Sequence, residues 1–254
     1  MTFLEFGTKL QLLFDFAGGV ILTYFKDQSK MKAVTFSFDD GIIQDYRMIE
    51  LLNQYGLKAT FNISSELLGH PDVLVLQGHR LCHYKIPADK VKATYEGHEV
   101  AAHGCTHPRL EHLEKYDIIR EVEGDRKNLE ELVDLPVVGM AYPYGSYNDR
   151  VVDVIRENTG IRYARTTKYT DSFDRQEDLL RFKANAHILE FDKLMEMGKK
   201  FIEMKPDKQQ IFYIWGHGYE MDYDSENWCK VEEFFKLISG HEDIFYGTNE
   251  QVLL

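Results

Sequence analysis

An α/β barrel is the fold this sequence predicts, and three observations lead to it. From residue 33 onward, short β-rich runs alternate with amphipathic helical stretches. The alternation repeats seven or eight times, which favours a ring of parallel strands over an open sheet. Polar residues also fall at the ends of several of these strands, where a barrel of this kind carries its chemistry. The chain has 254 residues, 44% hydrophobic and 28% charged, enough to bury a large core without disulfides.

Residues 1–30 read as a peripheral segment, with a hairpin formed by Leu10–Phe16, a turn at Ala17-Gly18-Gly19, and Val20–Phe25. Residues 31–254 read as a single domain, because no linker rich in Pro, Gly or Ser divides them. The expected strands are Ala33–Phe38, Ala59–Ile63, Glu99–His103, Val137–Tyr142, Arg162–Arg165, Leu179–Lys183, Ile211–Trp215 and Ile244–Tyr246. Met48, Leu52 and Tyr55 recur at helical spacing and Gly56 closes that helix. Ile118, Val122, Leu129 and Leu132 mark a longer one, and a third starts at Asn148 or Asp149 and ends by Gly160. Leu194–Ile202 and Val231–Ile238 supply two more. Gly69 to Gly97 breaks the rhythm and reads as an insertion at one end of the barrel, with a short helix at Ala88–Tyr95.

Composition narrows the function. Net charge is −12 and no Lys/Arg cluster is present, which argues against a nucleic-acid partner. The acid excess at Glu121–Asp134 reads as a solvated helix face. The three cysteines match no disulfide or zinc-knuckle spacing. Leu10–Phe25 is apolar, but Asp15 interrupts it and it is too short for a membrane span. With no secretory signal recognised, the expected location is cytoplasmic.

The chemistry concentrates at four strand ends. Asp39 and Asp40 end the first, followed by Gly41, which lets the chain turn sharply. His103 ends the third, with His107 four residues on. Tyr142-Pro143-Tyr144-Gly145 ends the fourth, and Trp215-Gly216-His217 the seventh. If the chain turns helically after His103, both imidazoles share a face and can meet one ion. The two aspartates then supply a carboxylate ligand and a spare base. A lone pair of histidines at this spacing is more often incidental; Asp-Asp-Gly at another strand end favours a metal site. His217 is a candidate acid or base near neutral pH. Trp215, Tyr219 and Trp228 suit either a sugar-stacking wall or ordinary packing. His187 is a pocket candidate, and His83 reads as a loop histidine.

These residues resemble the polysaccharide deacetylases with a NodB homology domain, carbohydrate esterase family 4. Thr35 to Gly41 resembles the family's T-F-D-D-G motif, His103 to His107 its H-[ST]-x-x-H with glycine in the second place, Ala141 to Tyr144 its R-x-P-Y, and Ile214 to His217 its L-x-x-H. The resemblance runs over roughly residues 32 to 250. It implies a distorted (β/α) barrel of seven to eight parallel strands and one divalent metal, most often Zn2+, with Co2+ or Ni2+ also tolerated. Asp40, His103 and His107 would hold the metal. Asp39 would be the base, His217 the acid that protonates the leaving amine, and the Tyr144 backbone N–H an oxyanion donor. Trp215, Tyr142, Arg181, Arg165 and His187 are the candidate substrate-binding residues.

Two departures from the family pattern stand out. Ala141 replaces the arginine that normally orients the base, and Arg165 or Arg181 could substitute. The D-x-x-D-W motif is not recognisable, which leaves Asp171, Asp174 and Asp178 as candidates to orient His217. The expected activity is removal of N-acetyl, or O-acetyl, groups from a sugar, oligosaccharide or polysaccharide. Hydrolysis of another C–N bond, in a cyclic amide or imide, is the nearest alternative. A non-catalytic sugar-binding relative would need neither Asp39 nor His217. A non-haem iron oxygenase would share the two-histidine, one-carboxylate ligand set, but parallel alternation does not suit it.

Overall fold

A computed structural model describes residues 25, 27, 29–76 and 78–254. The hairpin expected over Leu10–Phe25 falls almost wholly outside these residues. In chain order the elements are β1 (Lys32–Asp39), α1 (Asp45–Gln54), β2 (Ala59–Ile63), β3 (Val73–Leu76), β4 (His79–Cys82), α2 (Val91–Thr94), β5 (Glu99–Ala102), α3 (Lys115–Val133) and β6 (Gly139–Ala141). There follow α4 (Asp149–Asn158), β7 (Tyr163–Tyr169), β8 (Phe182–Ala184), β9 (Ala186–His187), α5 (Phe191–Glu203), β10 (Gln210–His217), α6 (Asn227–Ile238), β11 (Ile244–Tyr246) and α7 (Asn249–Leu253).

Eight parallel strands form a nearly closed barrel in the order β8-β7-β6-β5-β2-β1-β10-β9, with β11 pairing beside β1. Asn185 joins the two ends of that path. It separates β8 from β9, and exchanges two 2.8 Å hydrogen bonds with the Tyr213 backbone in β10. Among the described residues, no helix is long and apolar enough to cross a membrane.

Strand periodicity divides the side chains between two environments. In β1, Val34, Phe36 and Phe38 point outward to the helices, where Phe36 packs edge-on against Phe234 and Phe235 of α6. The alternate residues Thr35, Ser37 and Asp39 face the barrel interior with polar groups. Thr60 and Asn62 do the same in β2, as does Arg165 in β7. At the N-terminal end the interior is apolar: Ala33, Tyr163, Phe182, Ile211 and Tyr213 pack against Val252 and Leu253 of α7, which plugs that mouth. At the other end the buried polar layer accumulates.

Sequence and structure differ in several places. β9 is an additional strand, and Glu121 and Asp125, expected on a solvated face of α3, are buried because they hydrogen-bond the backbone of the turn after β5. Leu179–Arg181 is a 3-10 turn with Asp178 as its cap, so the strand begins only at Phe182. The insertion contains an antiparallel hairpin, β3–β4, in addition to the expected short helical stretch. α4 begins as expected, with the Asn148 side chain accepting the Val151 N–H at 3.0 Å.

Candidate active site

Cross-strand register assembles the site. Asp39 pairs with His217 of β10 on one side and Asn62 of β2 on the other. Trp215 pairs with His187, and Ala141 with Arg165. Residues far apart in sequence therefore lie side by side at the C-terminal mouth.

Asp39 and Asp40 are adjacent in the chain but face different partners. Asp39 accepts from the Arg165 guanidinium and from Asn62 Nδ2 at 2.8 Å. Burial opposes its charge, but Arg165, His103 and His217 together outweigh burial and hold the carboxyl below its ordinary range. Of the two candidate arginines, Arg165 thus takes the place left by Ala141. Asp40 sits at φ 86°, and Gly41 follows at φ 60°. A Cβ on Gly41 would fall 2.9 Å from Ile63, so the reversal that turns Asp40 away from Asp39 needs glycine next. Asp40 Oδ1 then lies 3.8 Å from His107 Nε2.

The two histidines are not on a helical turn. Gly104 at φ 74° and His107 at φ 57° give an irregular turn ahead of Pro108. This accounts for glycine in the motif's second place, since any side chain there would be strained. Glu121 and Asp125 of α3 brace the turn. The Thr106 N–H donates to Glu121 at 2.9 Å and the His103 N–H to Asp125 at 2.8 Å. The His103 and His107 Nε2 atoms end 3.2 Å apart.

The donor set suits a divalent ion. One ligand atom from each of Asp40, His103 and His107 lies within 4.8 Å of the others. His103 Nδ1 donates to the Ala141 carbonyl at 2.8 Å, which leaves Nε2 as a lone-pair donor. Burial lowers His103, and lowers His107 to about 3 with His103 adding to the effect. Burial opposes the charge on Asp40 too, but the His83 hydrogen bond and Lys85 keep it well below the ordinary carboxylate range. Two neutral imidazoles and one carboxylate are the protonation states such an ion requires.

The insertion, expected at one end of the barrel as a loop over the site, contributes side chains to this centre that sequence reading did not assign to it. His83, expected as a loop residue, is buried, with Nε2 3.0 Å from Asp40 Oδ2 and Nδ1 3.3 Å from Asp72. Lys85 Nζ lies 3.3 Å from Asp40 Oδ1. The only sequence signal was the proximity of His83 and Lys85 in a stretch that breaks the barrel rhythm.

His217 closes the far side, with Nε2 3.9 Å from Asp39 Oδ2. Its partner is Glu220, not an aspartate from the 171–178 stretch. Asp174 bonds Gln210 and Lys208, Asp178 caps its own turn and pairs with Arg181, and Asp171 is exposed. The remaining candidates divide. His187 and Trp215 line the mouth, their rings 4.7 Å apart, and the Arg165 guanidinium covers the Trp215 ring at 4.3 Å. Tyr144 is 59% exposed at φ 55°, with its ring 4.4 Å from that of His107 and under Arg109. Tyr142 is buried instead, its hydroxyl given to the Leu180 carbonyl at 2.9 Å. Arg181 turns away to Asp149 and Asp178. Tyr219 and Trp228 are buried, so they pack more than they present.

Comparison with known proteins gives this site a context. The polysaccharide deacetylase family pattern matches residues 26–164, more than half of the chain. No curated protein matches. Among solved structures, a polysaccharide deacetylase from Bacillus cereus is 21% identical, with a TM-score of 0.48. It aligns over 59% of this chain, which spans under half (45%) of that protein's length. A peptidoglycan deacetylase from Bacillus subtilis shares 15% identity over 88% of this chain and 90% of its own, with a TM-score of 0.54. A family 4 carbohydrate esterase from Streptomyces lividans shares 15% over 85% and 91%, with a TM-score of 0.52. The last two likenesses are of fold. The nearly closed parallel barrel and the family match together identify the chain as a member of the polysaccharide deacetylase family.

Proposed function

We propose that this protein is a metal-dependent hydrolase that removes N-acetyl groups from a sugar, oligosaccharide or polysaccharide, with O-acetyl esters as an accessible second substrate. The observation that carries the reading is the split between the paired aspartates. Asp40 Oδ1 lies 3.8 Å from His107, with its ligand atom within 4.8 Å of His103, while Asp39 is held by Arg165 between His103 at 3.8 Å and His217 at 3.9 Å. A pure binding site has no use for the second carboxylate or the second-side histidine. The deacetylase relatives named above support the same chemistry.

Asp40, His103 and His107 would hold the divalent ion, with zinc first among candidates for two imidazoles and a carboxylate. When bound, such an ion polarises the acetyl carbonyl and eases ionisation of water. Asp39, ionised across the neutral range, takes the proton of the attacking water. Arg165 and Asn62 fix its orientation. The backbone N–H of Tyr144, whose ring lies 4.4 Å from that of His107, would be the donor for the developing oxyanion, a role commonly worth about 3 kcal/mol. His217 protonates the departing nitrogen, without which an amine cannot leave. The exposed Tyr144 ring and half-buried Trp215 offer apolar faces for a sugar ring.

Acetate release from a panel of N-acetylated mono- and oligosaccharides tests this reading. Release that a chelator abolishes and added Zn2+ restores is the expected result. Release unaffected by complete metal removal would refute the metal-dependent mechanism.

A further inference from the structure

His187 and Glu220 lie outside the family's motifs as read in this sequence, and the geometry joins them to His217, the last residue of those motifs, in one chain of contacts. Glu220 sits on the short 3-10 turn after β10 and is 7% exposed. Its Oε1 lies 3.1 Å from His217 Nδ1. Its Oε2 lies 3.2 Å from His187 Nε2 and also accepts the His217 backbone N–H at 2.9 Å. The tautomer of His187 follows from its other contact. The Leu189 N–H donates to His187 Nδ1 at 3.3 Å, so Nδ1 accepts and Nε2, which faces Glu220 Oε2 at 3.2 Å, carries the proton. His187 itself is fixed by its place in β9, paired with Trp215 of β10.

We propose that Glu220, clamped by His187, is the positioning carboxylate of the site: it holds His217 with the proton on Nδ1 and turns Nε2 toward Asp39 and the substrate. The role of His217 as acid rests on the deacetylase reading above; the clamp itself does not. The carboxylate comes from three residues after the histidine, on the same turn, so strand β10 and its exit carry both members. A buried carboxylate with a single partner is costly, and His187 supplies the second.

The groups facing His217 support the assignment. They are Glu220 and Tyr219 on its own turn, His187 from β9, Asp39 at the end of β1 with Arg165 behind it, and Asp40 beyond. Burial would push the imidazole down, but Glu220, followed by Asp40 and Asp39, outweighs burial and raises it to about 9. Burial likewise opposes the charge on Glu220, and His217 with His187 brings it to about 2.

The test is an NMR titration of the His217 imidazole in the zinc-loaded protein, alongside pH profiles of acetate release. The comparison is among wild type, Glu220→Gln, Glu220→Asp and His187→Ala. Glu220→Gln should lower the His217 midpoint by about one unit or more, and move the high-pH limb of kcat down by the same amount. It should reduce kcat about 10- to 100-fold with KM little changed. Glu220→Asp should recover part of both, and His187→Ala should shift the midpoint less and in the same direction. An unchanged midpoint in folded Glu220→Gln overturns the clamp. The three ligand atoms lie within 4.8 Å of one another, so zinc content is measured as well. A second zinc in wild type that Glu220→Gln lacks would also overturn the clamp, by making the trio a metal site. If wild type releases no acetate, the deacetylase reading fails while the titration still decides the clamp.

Discussion

Replacing Arg165 by methionine tests how the barrel tolerates a carboxylate in its interior. Both side chains are almost wholly buried, Arg165 at 1% and Asp39 at 4% of their side-chain surface. Without the guanidinium, Asp39 retains Asn62 Nδ2 at 2.8 Å, with His103 and His217 imidazoles no nearer than 3.8 and 3.9 Å. Removing one member of a buried ion pair costs roughly 3–5 kcal/mol, because the other charge stays desolvated. The guanidinium also covers the Trp215 ring at 4.3 Å, and losing that contact adds about 1 kcal/mol. For a chain of this size the sum corresponds to a fall in Tm on the order of 10 °C. Asp39→Asn in the same background removes the stranded charge and should restore about 2 kcal/mol or more. Denaturant unfolding of the four proteins of this cycle, at constant metal load, measures the coupling. The sign with pH follows. Arg165 holds Asp39 below its ordinary range, so the pair's stabilisation is present above the ordinary carboxylate value and is lost as pH falls through the lowered one. Without Arg165, the low-pH limb of activity should move upward. Additive single effects, within about 0.5 kcal/mol, would refute the claim that these two groups compensate each other.

Three further outcomes are expected. His83→Ala, which removes the contact to Asp40 Oδ2, should weaken Zn2+ binding about 10- to 100-fold in a competition titration. Gly104→Ala forces a side chain onto a φ of 74° with Pro108 Cδ 3.1 Å away; it should cost about 1–2 kcal/mol by denaturation and weaken the metal site with it. As the proposed acid, His217 would act in its protonated form, so activity should be full near neutral pH and fall as pH rises. A bound dication opposes the proton, placing the midpoint between the ordinary imidazole value of about 6.5 and the raised value of about 9.

Much of the fold was legible because barrel strands and their covering helices have different periods. Val34, Phe36 and Phe38 announce β1 whatever their partners. What alternates with them was harder to read. Thr35, Ser37 and Asp39 lie on the interior face, as do Thr60 and Asn62 in β2 and Tyr163 and Arg165 in β7. A polar residue every second place within an otherwise apolar strand is the signal in the sequence that points to Asn62. The candidate metal-ligating residues were legible because both motifs end a strand. His83 was not, because its link to Asp40 spans 43 residues and depends on how the β3–β4 hairpin folds over the mouth. Glu220 was hidden by an expectation that the partner acid precede β10; a capping position three residues after His217 was the signal for it. The helical reading of His103 and His107 failed on local chemistry, since Gly104 is free to take a positive φ and does.

The division of labour between Asp39 and Asp40 is tested most directly by measuring zinc content and acetate release on one preparation of Asp39→Asn. With Asp40, His103 and His107 intact, the variant should retain one zinc per chain. Its acetate release from N-acetylated saccharides should fall at least about 100-fold below wild type. Wild-type turnover in the zinc-loaded variant would contradict the assignment of Asp39 as base, and loss of the zinc would contradict the assignment of Asp40 as the carboxylate ligand.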